Sequence, residues 1–73
     1  METKLLDVVA LLEDIPERKL VRGQVGTIVE KLGPDTFEVE FSDNSGRTYA
    51  SLALISSQFL VLRHDLVAVG ESF

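Results

Sequence analysis

Two carboxylates, Glu38 and Glu40, stand two residues apart in Thr36-Phe37-Glu38-Val39-Glu40-Phe41, a stretch that alternates strictly between polar and apolar positions. On a strand, that spacing puts both carboxylates on one face. A carboxylate pair can exchange protons with a substrate or hold a hard cation. It can equally keep an exposed sheet face wet and discourage aggregation, and that is the reading adopted for this pair. In one hairpin register Lys31 lies across from Glu38, as an exposed ion pair of small energetic weight.

Other reactive residue types are sparse. The chain has one histidine, His64, and no cysteine, so neither a zinc site nor a disulfide framework is expected. His64 sits in the polar run Arg63-His64-Asp65 and reads as a surface residue. Ser45, Ser51, Ser56 and Ser57 lie in no nucleophile motif. A chain of 73 residues can hardly enclose a catalytic pocket. The expectation is a protein that is not an enzyme and that has no cofactor and no metal. Gly23-Gln24-Val25-Gly26 has the G-x-x-G spacing of a loop that clamps a nucleic-acid backbone between two helices. Its flanks here read as a loop and a strand, so the glycines are assigned to turns and bends.

The elements that must position these residues follow from hydrophobic period and turn chemistry. Leu5 to Leu12 is apolar except for Asp7, and Pro16 forbids a smooth helix through it. A strand is expected over 6–12, then a long loop over 13–23 in which Asp14 caps a single turn opened by Pro16. Gln24 to Leu32 reads as a strand. Gly26 inside it marks a bulge, a bend or a close backbone approach. Gly33-Pro34-Asp35 is a turn, Thr36 to Phe41 a half-buried strand, and Asp43-Asn44-Ser45-Gly46 a second tight turn. Arg47 to Leu54 is the next strand, Ile55 to Gln58 a break holding a 3₁₀ turn, and Phe59 to Leu62 a last short strand. Five strands in this order predict an all-β domain over 1–63, a small SH3-like barrel that Gly26 bends closed. Residues 64–73 form a tail that either folds back along a barrel edge, pairs with a second copy or frays.

Composition narrows the partners. Acidic residues outnumber basic ones twelve to seven, for a net charge of −5. Phosphate backbones are bound by clustered Lys and Arg. The one such group, Arg18, Lys19 and Arg22, lies beside Glu13, Asp14 and Glu17, so nucleic acid is disfavoured. No apolar run approaches a membrane span. Acidic residues interrupt the apolar N-terminus and no small-residue cleavage site follows it, so the protein is expected to be complete, soluble and cytoplasmic.

LLDVVALLEDIPE, RGQVGTIVE, FEVEFSDNSGRTYA and FLVL, in this order and spacing over about residues 4–62, resemble a family of short bacterial proteins known only as a domain of unknown function. The family has no established activity to carry over. Its members are often stand-alone proteins, sometimes encoded beside a toxin-like gene, and this resemblance implies an antitoxin or immunity role. Gly23-x-x-Gly26-Thr27 also resembles the start of the KOW motif of SH3-like barrels in transcription and ribosomal proteins.

Two binding modes of such barrels do not fit. With no Trp, one Tyr, and Phe37, Phe41 and Phe59 placed inward, neither a proline-peptide groove nor a methyl-lysine cage is expected. What remains is the 13–23 loop. Ile15, Glu17, Arg18, Lys19, Leu20 and Arg22, with Glu38 and Glu40 on the sheet, are the candidate protein-contact residues. Ile15 and Leu20 are equally suited to plug the open end of the barrel, and the two roles are compatible. Gly23, Gly26, Gly33 and Gly46 are assigned to structural turns. The leading expectation is a non-catalytic protein-binding module. The alternatives are a nucleic-acid or ribosome binder acting through the KOW-like segment and a homo-oligomer built on the tail or a barrel edge.

Overall fold

A computed structural model describes residues 3–62. The expectations for His64 and for the tail 64–73 fall outside them. The described chain is all-β: five strands in one antiparallel sheet, β1 (Val8–Leu11), β2 (Val25–Lys31), β3 (Thr36–Ser42), β4 (Thr48–Ile55) and β5 (Phe59–Leu62), in the order β4-β3-β2-β1-β5. Two 3₁₀ turns, Pro16–Arg18 and Ser56–Gln58, complete it. No helix of the described residues is long and apolar enough to cross a membrane.

The sheet is rolled. Its two outermost strands, β4 and β5, are joined by only the three residues of the second 3₁₀ turn. Four strand spacings in a flat sheet would separate them by roughly 19 Å. Moreover, the rings of Phe37 on β3 and Phe59 on β5 meet edge to face with centroids 5.9 Å apart, although β2 and β1 lie between them in the sheet. The concave face holds the core: Val9 and Leu11 from β1, Ile28 from β2, Phe37, Val39 and Phe41 from β3, Ala50 and Leu54 from β4, and Phe59 from β5. The strict alternation of β3 is realised, with Phe37, Val39 and Phe41 inside.

Gly26 has a role narrower than a bend. Its φ is not left-handed, and it pairs in register with Val9. A Cβ at this position would lie 2.8 Å from the Phe41 ring and 2.9 Å from the Glu40 carbonyl oxygen. The missing side chain is therefore what lets the fully buried Phe41 ring rest on the backbone of β2. The irregularity of β2 falls two residues later, between Ile28 and Glu30.

The first strand is shorter than expected. Lys4 to Asp7 form a turn, in which the Asp7 N–H donates to the Lys4 carbonyl at 3.1 Å and the Asp7 carboxylate accepts from the Lys4 N–H at 2.8 Å. Leu6 takes a left-handed backbone there, with φ 70°.

The β3–β4 turn is built around Asp43. One of its carboxylate oxygens accepts from the Ser45 N–H, the Ser45 hydroxyl and the Arg47 N–H at 2.8–3.0 Å. Gly46 supplies the left-handed step at φ 86°. Gly33, by contrast, has an ordinary φ in the β2–β3 connection, where its N–H donates to the Thr36 carbonyl at 3.2 Å. Asp35 of that connection accepts from the Ser56 hydroxyl and N–H, which ties the second 3₁₀ turn to the hairpin.

Two outcomes are expected. Gly26→Ala pushes a methyl group into Phe41 and a carbonyl, so urea unfolding should show a loss of about 1–3 kcal/mol. The hydrogen bond from the Ser45 hydroxyl, followed by those from the Arg47 and Ser45 N–H groups, holds the Asp43 carboxyl below its ordinary pKa of 3.8. A carboxyl with a lowered folded pKa stabilises the fold above the unfolded value, and that contribution is lost as pH falls through the folded pKa. Asp43→Asn should therefore lower the midpoint of thermal unfolding at pH 7. The difference from the parent should shrink as the pH is brought below 3.8.

Candidate functional site

The 13–23 segment is a miniature hairpin folded over one end of the sheet. Ile15 and Leu20 exchange backbone hydrogen bonds at 2.8 and 3.1 Å. Between them Pro16 opens the 3₁₀ turn at a position where its missing N–H costs nothing. Lys19 closes the turn in a left-handed conformation, φ 57°, with its N–H on the Pro16 carbonyl at 3.0 Å.

Asp14 does not cap this turn. The residue at the cap position is Ile15. Pro16 has no N–H to offer, and the Arg18 N–H is already bound to the Ile15 carbonyl at 3.0 Å. The Asp14 carboxylate instead accepts from the Arg22 N–H at 2.8 Å, clipping the two legs of the loop together. At the base, Gly23, left-handed at φ 89°, donates its N–H to the Leu11 carbonyl at 2.7 Å. The Gln24 side-chain oxygen accepts from the Val21 N–H at 3.0 Å. Gln58 fastens the other side: its backbone carbonyl accepts from the Leu12 N–H at 2.9 Å, and its side-chain amide donates to Glu13 at 3.2 Å.

This arrangement decides between the two readings of the loop's apolar residues. Ile15 and Leu20 are buried, Leu20 almost completely, and they belong to the hydrophobic core of the sheet. Their assignment as contact residues is therefore corrected: a partner would meet the loop without them. Glu17, Arg18, Lys19 and Arg22 are exposed.

The sheet contributes the rest of the site. The register shift between Ile28 and Glu30 moves Lys31 opposite Phe37 and sets Glu30 directly across from Glu38. The register that would pair Lys31 with Glu38 is thus not the one adopted, and two like charges face each other, an unfavourable cross-strand pair. Glu38 has a different partner, the Ser51 hydroxyl of β4, which donates to its carboxylate at 2.6 Å. The Ser51 carbonyl in turn accepts from the Arg18 guanidinium at 3.0 Å.

Ser51 therefore joins the β3 carboxylate to the loop arginine. In the sequence Ser51 stands only as a serine outside any nucleophile motif. Its place became legible once the β3–β4 register put it beside Glu40 and diagonal to Glu38. Glu40 stands on the same outer face between Thr27 and Ser51. Among the described residues no group of three or more His, Cys, Asp or Glu side chains is placed to hold a metal ion. The arrangement offers accepting oxygens on β3, with one guanidinium held against β4 at their side.

A family model described as "Domain of unknown function (DUF4926)" matches residues 5–61, and the chain belongs to that family. No curated protein and no solved structure matches the chain.

If the loop's apolar pair is core and its polar tip is surface, substitutions should separate them. Leu20→Ala should cost about 2–5 kcal/mol in chemical denaturation, whereas Glu17→Ala should stay within about 0.5 kcal/mol of the parent.

Proposed function

We propose that this chain is a small non-catalytic module that binds another protein, in the manner of an antitoxin or immunity partner of a neighbouring gene product. The observation that carries the reading is the amount of apolar side chain left on the outside of a domain this small. Leu12, Val25, Leu60 and Leu62 are all exposed, and Leu60 and Leu62 share their strand with buried Phe59. Such surface on a thin domain is more readily explained by a protein partner than by solubility.

The scaffold supports the same reading. The exposed tip at Glu17, Lys19 and Arg22 rides on a loop fixed by its core pair and by Asp14, Gly23, Gln24 and Gln58, and rigid presentation lowers the entropic cost of binding. The net charge of −5 favours a partner with a basic surface through steering and complementarity. Nucleic acid is the weaker alternative. Of the three clustered cations, Arg18 is already bound to the Ser51 carbonyl, and Arg22 has its own backbone N–H held by the Asp14 carboxylate, which brings a negative charge beside it.

The test is affinity capture from the native cell with and without nuclease, followed by reconstitution from purified components and mass measurement in solution. One protein that survives nuclease and re-forms a complex of defined stoichiometry is the expected result. Partners that vanish with nuclease, together with binding that weakens steeply as salt rises, would replace this reading with nucleic-acid or ribosome association.

A further inference from the structure

The register of the sheet lines up the outer face residue by residue. One row runs Leu62 (β5), Val8 (β1), Thr27 (β2), Glu40 (β3), Ser51 (β4). The next runs Leu60, Ala10, Val25. The convex face is therefore divided. Over β5, β1 and the Val25 end of β2 it is apolar, with Leu60 55%, Val25 50%, Leu62 43% and Val8 40% exposed. One strand further it turns acidic, at Glu40 and Glu38, with Glu30 across from Glu38.

Apolar side chains exposed side by side on neighbouring strands form a patch of the kind that often marks an interaction surface. The strip is two strand spacings wide, about 10 Å, close to the diameter of an α-helix with its side chains. Its length, set by the four-residue strands β1 and β5, is about 13 Å, or two to three helical turns.

We propose that this face is the docking site for a basic amphipathic helix of a partner protein. The helix would lie along β1 with its apolar stripe on Leu60, Leu62, Val8 and Val25. One flank of Lys or Arg would face Glu38 and Glu40. The charge pattern selects this occupant over a second copy of the chain. The molecule carries −5, so a second copy approaches against net repulsion, whereas a basic helix is attracted to the Glu38 and Glu40 border. It also gives the Glu30–Glu38 pairing a consequence: two carboxylates that repel one another gain when a cation settles beside them. The inference rests on the protein-binding reading above and specifies the partner's chemistry and the surface used.

The probe is a synthetic helical peptide of about 14 residues, with a leucine stripe and a lysine flank, titrated into the ¹⁵N-labelled full chain. A peptide with glutamate on the same flank and a scrambled peptide serve as controls. The lysine peptide should shift the amide signals of Val8, Ala10, Val25 and Leu60, and the glutamate peptide should bind at least about tenfold more weakly. Leu60→Ser with Val25→Ser should reduce binding about tenfold or more while the thermal midpoint stays near the parent's. Glu38→Lys with Glu40→Lys should reverse the preference between the two peptides.

Shifts confined to the 13–23 loop, equal binding of lysine and glutamate peptides, or no binding at millimolar peptide would overturn the proposal. So would a concentration-dependent dimer that shifts the same residues, since a second copy would then be the occupant. A native partner that re-forms its complex but cross-links only to the loop would refute this docking site and leave the protein-binding reading standing. The absence of any reconstituted protein complex would remove both.

Discussion

The rest of the fold depends on the contact between Gly26 and Phe41. A sheet whose outermost strands are joined by three residues must be tightly curved, and a tightly curved sheet leaves little room on its concave side. Phe41 is fully buried there. Its ring lies where a β-carbon of residue 26 would stand. With any side chain on β2 at this point, the ring would have to leave its position or β2 and β3 would have to part. The neighbouring inward residues, Val9 opposite Gly26 and Val39 opposite Ile28, are β-branched and well suited to a pleated surface but poor at filling a gap. The aromatic rings of Phe37, Phe41 and Phe59 supply the volume.

The polar architecture is complementary. No polar or charged side chain is buried among the described residues, so the core is purely apolar and carries no unpaired group that would cost free energy. Among the described residues the side-chain hydrogen bonds lie at the surface, and most of them fix a connection. Asp43 organises the β3–β4 turn, Asp14 and Gln24 the long loop, and Asp35 and Gln58 the second 3₁₀ turn. A core this small has little stability to spare, and loops held by their own short polar side chains narrow the conformations it must hold.

How much of this was legible in the sequence differs from element to element, for physical reasons. The Thr36–Phe41 alternation states its strand and its buried face outright, because a period of two has one interpretation when half the positions are aromatic or β-branched. The Asp43–Gly46 turn was equally plain. Gly26 announced itself as special, but a single sequence cannot separate a bend from a close approach, since both need only the absence of a Cβ. The cross-strand partner of Glu38 is left open by the sequence because the irregularity between Ile28 and Glu30 shifts the register, and a one-residue shift exchanges every facing pair. Asp14 read as a cap because Asp before a proline turn commonly is one. What decided otherwise was which N–H groups remained available, and that is a property of the folded loop. Family membership followed the order and spacing of the strand segments, and it came with no chemistry attached.

VVAL in β1 and FLVL in β5 raise a sharper point. Continuous apolar runs usually belong to strands covered on both faces. Here β1 and β5 have the core on one side and exposed Val8, Leu60 and Leu62 on the other. β3, next to them in the same sheet once β2 is crossed, follows the opposite rule, with carboxylates outside and rings inside. One sheet thus carries two surface chemistries, divided along β2, and the curvature that Gly26 permits presents both on the same convex wall. Folding alone needs only the concave pattern, which every strand satisfies. The outer pattern of β1 and β5 adds little to the stability of the isolated domain and leaves apolar surface in water. The docking proposed for this face would give that outer pattern a use that folding does not.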